Sequence, residues 1–223
     1  KYFNLGVREM EIRWYGHACF GITGEAGEVI VTDPYDESIG YQMPDLRADV
    51  VTVSHEHYDH NNVAAVKGNP EVVRGPGEHI AGGIRFLGVN TYHDTSRGAE
   101  RGENTVFLFD VDDIRLCHLG DLGHVLEEPQ VKSIRERDID VLFIPVGGVY
   151  TIDASGATEV LNQLEPRIAI PMHYKTPPLR LNINKVDSFL RGKERVMREK
   201  KLSLRKADLP PPGEKEIVVL DWR

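Results

Sequence analysis

Residues 51–62, VTVSHEHYDHNN, decide the reading of this chain. A β-branched apolar run of the kind that favours a strand ends at Ser54, and His55, His57, Asp59 and His60 follow within six residues. With nine His and 16 Asp among 223 residues, random placement produces H-x-H-x-D-H in about one such sequence in a thousand. Two imidazoles two residues apart on a turn can converge on one metal ion. The carboxylate and third imidazole just beyond them can face a second ion. Four donors on one loop need partners from elsewhere, so this loop is expected at an edge where the ends of several strands meet.

Outward from that loop, short apolar runs punctuated by Gly, Pro and Asp predict strands over 12–15, 19–22, 29–32, 50–54, 84–89, 105–109, 114–119, 141–146 and 168–172. Helical periodicity predicts helices over 61–67, 128–137, 155–164 and 186–200. A rigid LPPPGEK turn at 209–215 precedes a last strand over 216–221. Early hairpins and late strand–helix–strand units imply an α/β fold of two sheets between helices. The expectation is one domain over 1–223, with a C-terminal helix and strand in 186–223 and residues 1–9 as an upstream extension or a different start. Three predicted strand ends carry the missing donors: His93 in NTYHDTSRG, Asp121 in HLGDLGH and His173 in IAIPMHYKT. The seven donors are five imidazoles and two carboxylates, a set that suits zinc or a similar first-row ion better than magnesium or calcium. Zinc is expected, with manganese or iron also compatible. Asp94 is the nearest competitor for the place of His93.

Seven motifs in order carry a family resemblance: WYGHACF (14–20), VTDPY (31–35), SHEHYDH (54–60), TYHD (91–94), HLGDLG (118–123), FIPVGGVYTID (143–153) and IPMHY (170–174). Together they resemble the metallo-beta-lactamase superfamily, and within it the compact hydrolases related to the ascorbate-6-phosphate lactonases. The resemblance implies an αββα sandwich of two mixed sheets with a dinuclear site at one edge. It implies that His55, His57 and His93 hold one ion, that Asp59, His60 and His173 hold the other, and that Asp121 bridges them. His17 and Asp33 would lie beside the ions and orient their ligands by hydrogen bonds. His118 and His124, which flank Asp121, do not match the family pattern and are expected to support the site rather than to ligate. The chain departs from the pattern at Lys175, where a small residue commonly follows the HY of the last motif.

That constellation predicts hydrolysis by a hydroxide shared between two divalent ions, with Asp59 or Asp121 orienting it and accepting its proton. Tyr150 is placed to donate a hydrogen bond to a developing oxyanion. Lys175, Arg97 and Arg101 are the candidates for binding an anionic small-molecule substrate. The leading expectation is a metal-dependent hydrolase of a small ester, lactone or phosphodiester. A metallo-nuclease and a non-hydrolytic metal-binding or redox module are the alternatives.

The net charge is −8, but it is uneven. Segment 191–206 has eight Lys or Arg and two Glu, which leaves −14 for the remainder. An acidic body argues against nucleic acid as the partner, and the basic run reads as a solvated face. Cys19 and Cys117 lack C-x-x-C spacing and read as reduced, buried thiols. No apolar run reaches the length of a membrane span and no secretory signal opens the chain, so a cytoplasmic protein is expected. Oligomeric state has no signature.

Overall fold

In the inner strands of the six-stranded sheet, 19–23, 29–32 and 50–53, alternate residues face opposite ways and both faces are buried. The computed structural model describes residues 9–222, so the extension read over 1–9 lies, apart from Glu9, outside the described residues. The first sheet contains β1 (Met10–Gly16), β2 (Cys19–Thr23), β3 (Val29–Thr32), β4 (Val50–Val53) and β5 (Glu71–Arg74). The second contains β6 (Gly77–Ala81), β7 (Ile84–Tyr92), β8 (Glu103–Val111), β9 (Ile114–His118), β10 (Val141–Pro145), β11 (Ile168–Met172) and β12 (Val196–Glu199). Late in the chain β13 (Leu202–Leu204) returns to the first sheet and β14 (Glu216–Leu220) joins the second. The orders are β13-β1-β2-β3-β4-β5 and β12-β14-β11-β10-β9-β8-β7-β6. Both sheets are mixed: β3, β4 and β5 run parallel in one, and β9, β10, β11, β14 and β12 in the other.

Phe20, Ile22, Ile30 and Val50 point between the sheets, into the large core shared with Phe107, Phe109 and Phe143. Their neighbours Cys19, Val31, Val51 and Val53 point the other way, into a smaller core with Tyr35, Tyr41, Leu179 and Ile183. The Phe20 and Phe143 rings meet across the sandwich at 4.5 Å between centroids. Three short helices, α1 (Glu128–Ile134), α2 (Ala154–Leu164) and α3 (Asp187–Leu190), complete the layers, with α1 against β7 and α2 against β10. Asp153 starts α2 by accepting from the Ser155 and Gly156 N–H groups, which would otherwise be orphaned at its first turn. Ala157, Val160, Leu161 and Leu164, at helical spacing, are its buried face. The outer face of the six-stranded sheet is covered by the 3-10 turns Glu37–Ile39 and Val63–Ala65 and by the loop bearing Leu179 and Ile183.

Two predicted helices are corrected. Over 61–67 the chain makes only the turn Val63–Ala65, and the segment closes with a bridge from Lys67 to Arg47. Over 186–200, α3 ends at Leu190 and Gly192 takes a φ of 75°. Residues 196–199 then pair in parallel with β14 instead of continuing the helix. The charged composition favours a helix locally, but an exposed sheet edge offers backbone hydrogen bonds that override propensity. The other unpredicted strands, β5, β6 and β13, are also short edge strands without a continuous apolar run. No helix among the described residues is long and apolar enough to cross a membrane.

Candidate metal centre

Every expected metal donor follows the carboxyl end of a strand. The 55–60 loop leaves β4, His93 follows β7, Asp121 follows β9 and His173 follows β11. Backbone geometry at these ends turns the side chains out of the strand line. His17 after β1, Asp33 after β3 and His173 after β11 all adopt left-handed φ values, of 54°, 39° and 50°. Such values are uncommon outside glycine and cluster at functional sites. Two glycines allow the loops to meet. A Cβ on Gly123 would lie 2.2 Å from the His93 carbonyl carbon, and one on Gly147 would lie 2.1 Å from the His173 carbonyl oxygen.

The seven donors converge. His55, His57 and His93 offer nitrogens within 4.8 Å of one another, and the Asp59 carboxylate oxygen lies equally close to nitrogens of His60, His173 and His17. Asp121 lies against both groups. Its Oδ2 is 3.1 Å from His60 Nε2, 3.2 Å from His93 Nε2, 3.2 Å from His173 Nε2 and 3.9 Å from His55 Nε2. All but His57 are buried or nearly so.

Hydrogen bonds fix which nitrogen the His60 and His55 rings present. Asp33, fully buried, accepts from Ser54 N–H at 2.8 Å, from Ser54 Oγ at 2.5 Å and from His60 Nδ1 at 2.9 Å. The His60 Nδ1 proton is thereby committed and its Nε2 faces Asp121. Ser54 Oγ also lies 3.0 Å from His55 Nδ1, so His55 is held the same way, with its Nε2 converging to 3.0 Å on His57 Nδ1. His17 Nε2 meets Asp59 Oδ2 at 3.1 Å.

Several buried polar atoms here have no hydrogen-bond partner among the described residues: His17 Nδ1, His60 Nε2, His93 Nδ1, both His173 nitrogens and Asp121 Oδ1. The short His60–Asp121 and His173–Asp121 distances are not aligned as hydrogen bonds. Buried polar atoms are almost always satisfied, so such a cluster of orphans asks for an explanation. Divalent ions accepting those lone pairs supply one, and the donor set fits them.

Three of the rings, His55, His17 and His93, are held in the neutral form. Burial, together with the neighbouring His60, lowers His55 to about 3, and burial, together with His173, lowers His17 to about 4. Burial also lowers His93. These rings are neutral, as ligation requires. His60 moves the other way: burial pushes it down, but Asp121, Asp33 and Asp59 outweigh that and raise it. Burial would raise Asp121, but His173 and His60 hold its carboxyl well below the usual range.

The remaining candidates separate. Asp94 does not compete with His93: its two oxygens accept backbone N–H bonds from Ser96, Gly98, Glu100 and Arg101 at 2.7–3.0 Å. His118 is buried beneath the site with Nε2 on the Ala18 carbonyl and Nδ1 receiving Gly120 N–H. His124 receives Tyr92 N–H and contacts the Val125 carbonyl. Both support the loops, as expected. Two expected substrate contacts are otherwise engaged: Lys175 Nζ donates to the Leu179 and Leu181 carbonyls, and Arg97 pairs with Glu127 on the surface. Arg101 does line a cleft beside His55 and His57, and its guanidinium lies 5.8 Å from the Tyr150 ring centre.

Sequence reading missed Asn104. Its buried amide donates to Thr91 Oγ1 and the Leu119 carbonyl and accepts Asp121 N–H, tying β7, β8 and the Asp121 loop together. The only hint in the sequence was a polar residue opening an otherwise apolar strand.

The fold is a widely shared one. Human tRNase Z, short form, superposes with a TM-score of 0.55 over 75% of this chain and 93% of its own, at 10% identity, which is a likeness of fold alone. A candidate Zn-dependent hydrolase of the metallo-beta-lactamase superfamily from Thermotoga maritima is far more similar: 43% identical, TM-score 0.77, over 95% of this chain and 98% of that one. A UPF0173 metal-dependent hydrolase of Thermoplasma volcanium is 30% identical over 194 residues, 75% of this chain and 85% of the relative. The model of the beta-lactamase superfamily domain matches residues 11–173. That span runs from the second residue of β1 to His173, the last of the seven donors, and the chain belongs to the metallo-beta-lactamase superfamily.

Proposed function

We infer that the protein is a metal-dependent hydrolase of a small ester, lactone or phosphodiester, with two divalent ions, zinc by donor chemistry, held by His55, His57 and His93 and by Asp59, His60 and His173, and with Asp121 between them. The observation that carries this reading is the Asp121 carboxylate with three imidazole nitrogens 3.1–3.2 Å from one of its oxygens, amid buried atoms that none of the described residues satisfies. When bound, such ions supply Lewis acidity toward a carbonyl or phosphoryl oxygen and lower the pKa of a water from 15.7 to about 7.

The chain's own residues have separate tasks. Asp33 and Ser54 hold the His60 and His55 rings in the tautomer that presents Nε2. Asp121 is enclosed among three imidazoles, which suits a bridging ligand. Asp59 is the less enclosed carboxylate, 9% exposed and backed by His17, and is the residue that orients the attacking water and takes its proton. Tyr150, 38% exposed on the 146–153 loop, stands at the rim, where its hydroxyl can stabilise a developing oxyanion.

A nucleic-acid substrate is not favoured. In segment 191–206, Arg195, Lys201, Arg205 and Lys206 pair with Glu214 and Glu216, Glu11, Glu9 and Asp208, and Asp140 of the same chain. Metal analysis of the purified protein, joined to a screen of lactones, phosphodiesters and thioesters before and after chelation, tests the reading. Zinc near two equivalents and turnover that chelation abolishes are expected. Full activity in a metal-free sample refutes it.

A further inference from the structure

We propose that Arg101 and Tyr150 form an oxyanion-recognising subsite, which receives a carboxylate or phosphate attached to a flat or apolar body, on a substrate whose scissile bond lies at the metal centre; this rests on the hydrolase reading above. Three features carry it.

The first is how Arg101 is held. His93 N–H bonds to the Gly102 carbonyl and Gly102 N–H to the Gly98 carbonyl, which closes the 93–102 loop on itself. Inside it the Asp94 carboxylate accepts four backbone N–H groups, one of them from Arg101 itself at 2.7 Å. The loop that supplies an expected metal donor therefore fixes the position of an arginine eight residues later.

The second is what the guanidinium faces. A cleft of about 460 Å³ is lined by His55, His57, Arg74, Arg101 and Glu103, among others. Arg74 is paired with Glu56. Among the described residues, Arg101 meets a carboxylate, that of Glu100, only at 3.8 Å and is about one-third exposed. A planar fork of donors left open beside two metal donors matches a carboxylate or phosphate bidentately.

The third is the wall opposite. Tyr150 N–H bonds to the Gly148 carbonyl at 2.7 Å across Val149, whose φ is 65°. That is a γ-turn of the rare, strained kind, on a β-branched residue that avoids this region. The strain presents Val149 and Tyr150 to solvent, at 58% and 38% exposure. The Tyr150 ring lies beneath the Arg101 guanidinium. Val149 and Tyr150 thus give an apolar and aromatic surface next to one cation, a pairing that suits a flat anionic ligand.

The test uses the full chain, metal-loaded and metal-free, titrated with benzoate, phenyl phosphate and neutral benzamide and followed by amide NMR shifts. Benzoate or phenyl phosphate is expected to shift the amides of 98–102 and 149–151 in both forms, with benzamide at least tenfold weaker. Arg101→Gln should weaken anion binding at least tenfold, Arg101→Lys less so, and Tyr150→Ala should weaken it more than Tyr150→Phe. Shifts confined to the metal-loaded form, equal binding of benzamide, or anion binding unchanged in Arg101→Gln would overturn the proposal. The readout needs no turnover. Arg101-dependent binding without metal-dependent hydrolysis sinks only the hydrolase reading, and hydrolysis without such binding sinks only the subsite.

Discussion

Asn104→Ala is the substitution whose cost follows most directly from the structure. The Asn104 side chain is fully buried and makes three hydrogen bonds of 2.8–2.9 Å. Truncation strands the Leu119 carbonyl and the Asp121 N–H, and Thr91 Oγ1 loses its donor while keeping its own bond to the Asn104 carbonyl. A buried backbone group without a partner costs about 1–3 kcal/mol. Two of them give a loss of about 2–6 kcal/mol, a large share of the 5–15 kcal/mol typical of a domain. Urea unfolding of the metal-free protein measures it as a lower midpoint at unchanged m-value. Because the Asp121 N–H is one of the stranded groups, zinc affinity should also fall, by about 10–100-fold, as is usual when a ligand loses its supporting hydrogen bond. A stability loss below about 1 kcal/mol at unchanged m-value would show that the amide is not what ties these strands together.

Three further outcomes are expected. Metal-free protein should be most stable near pH 6.5. His17 and His55 have native pKa values lowered to about 4 and about 3, so their contribution is present above the unfolded pKa of about 6.5 and is lost as pH falls toward 3, by up to about 2.7 kcal/mol per pH unit for two protons. His60, raised in the native state, has the opposite sign: its contribution is present below pH of about 6.5 and is lost as pH rises through the native pKa. Urea midpoints that stay level from pH 6.5 to 3.5 contradict this. Lys175→Met should lower stability by about 1–3 kcal/mol by uncapping the Leu179 and Leu181 carbonyls, without changing KM for any substrate found; a selective rise in KM would restore Lys175 to substrate binding. Tyr150→Phe should reduce kcat by about 100–1,000-fold, in the range of a lost oxyanion donor, and unchanged turnover would remove its hydroxyl from the chemistry.

The ligand loop was legible because its chemistry is written locally: four donors in six residues, directly after a β-branched run. The central strands were legible for a similar reason, since residues buried on both faces, such as those of β10, read as continuous apolar runs. What stayed hidden depends on distant partners. Nothing near residues 196–199 announces β14, and nothing in the composition of 61–67 says that Lys67 will bond through its backbone to Leu46 and Ala48 rather than continue a helix. The roles of Asp94 and Lys175 were concealed in the same way: each is a charged residue beside a motif, and only the folded loops show that backbone groups have claimed them. The left-handed turns at His17, Asp33 and His173 are enforced by the strands around them, against the residues' own preference.

The pairing of β13 with β1 bears on how the protein assembles. Met10 lies opposite Leu204, and Lys201 reaches Glu11. Closing a chain segment of that length costs loop entropy that no local contact offsets, and such distant pairings slow folding. Every expected metal donor, in contrast, falls between residues 55 and 173, within strands that neighbour one another without β13. Assembly has a natural order in which the centre can form first and the outer strand of the six-stranded sheet zips up last. In native-state hydrogen exchange, the amides of residues 202–204 should open well before those of the core strands β9, β10 and β11.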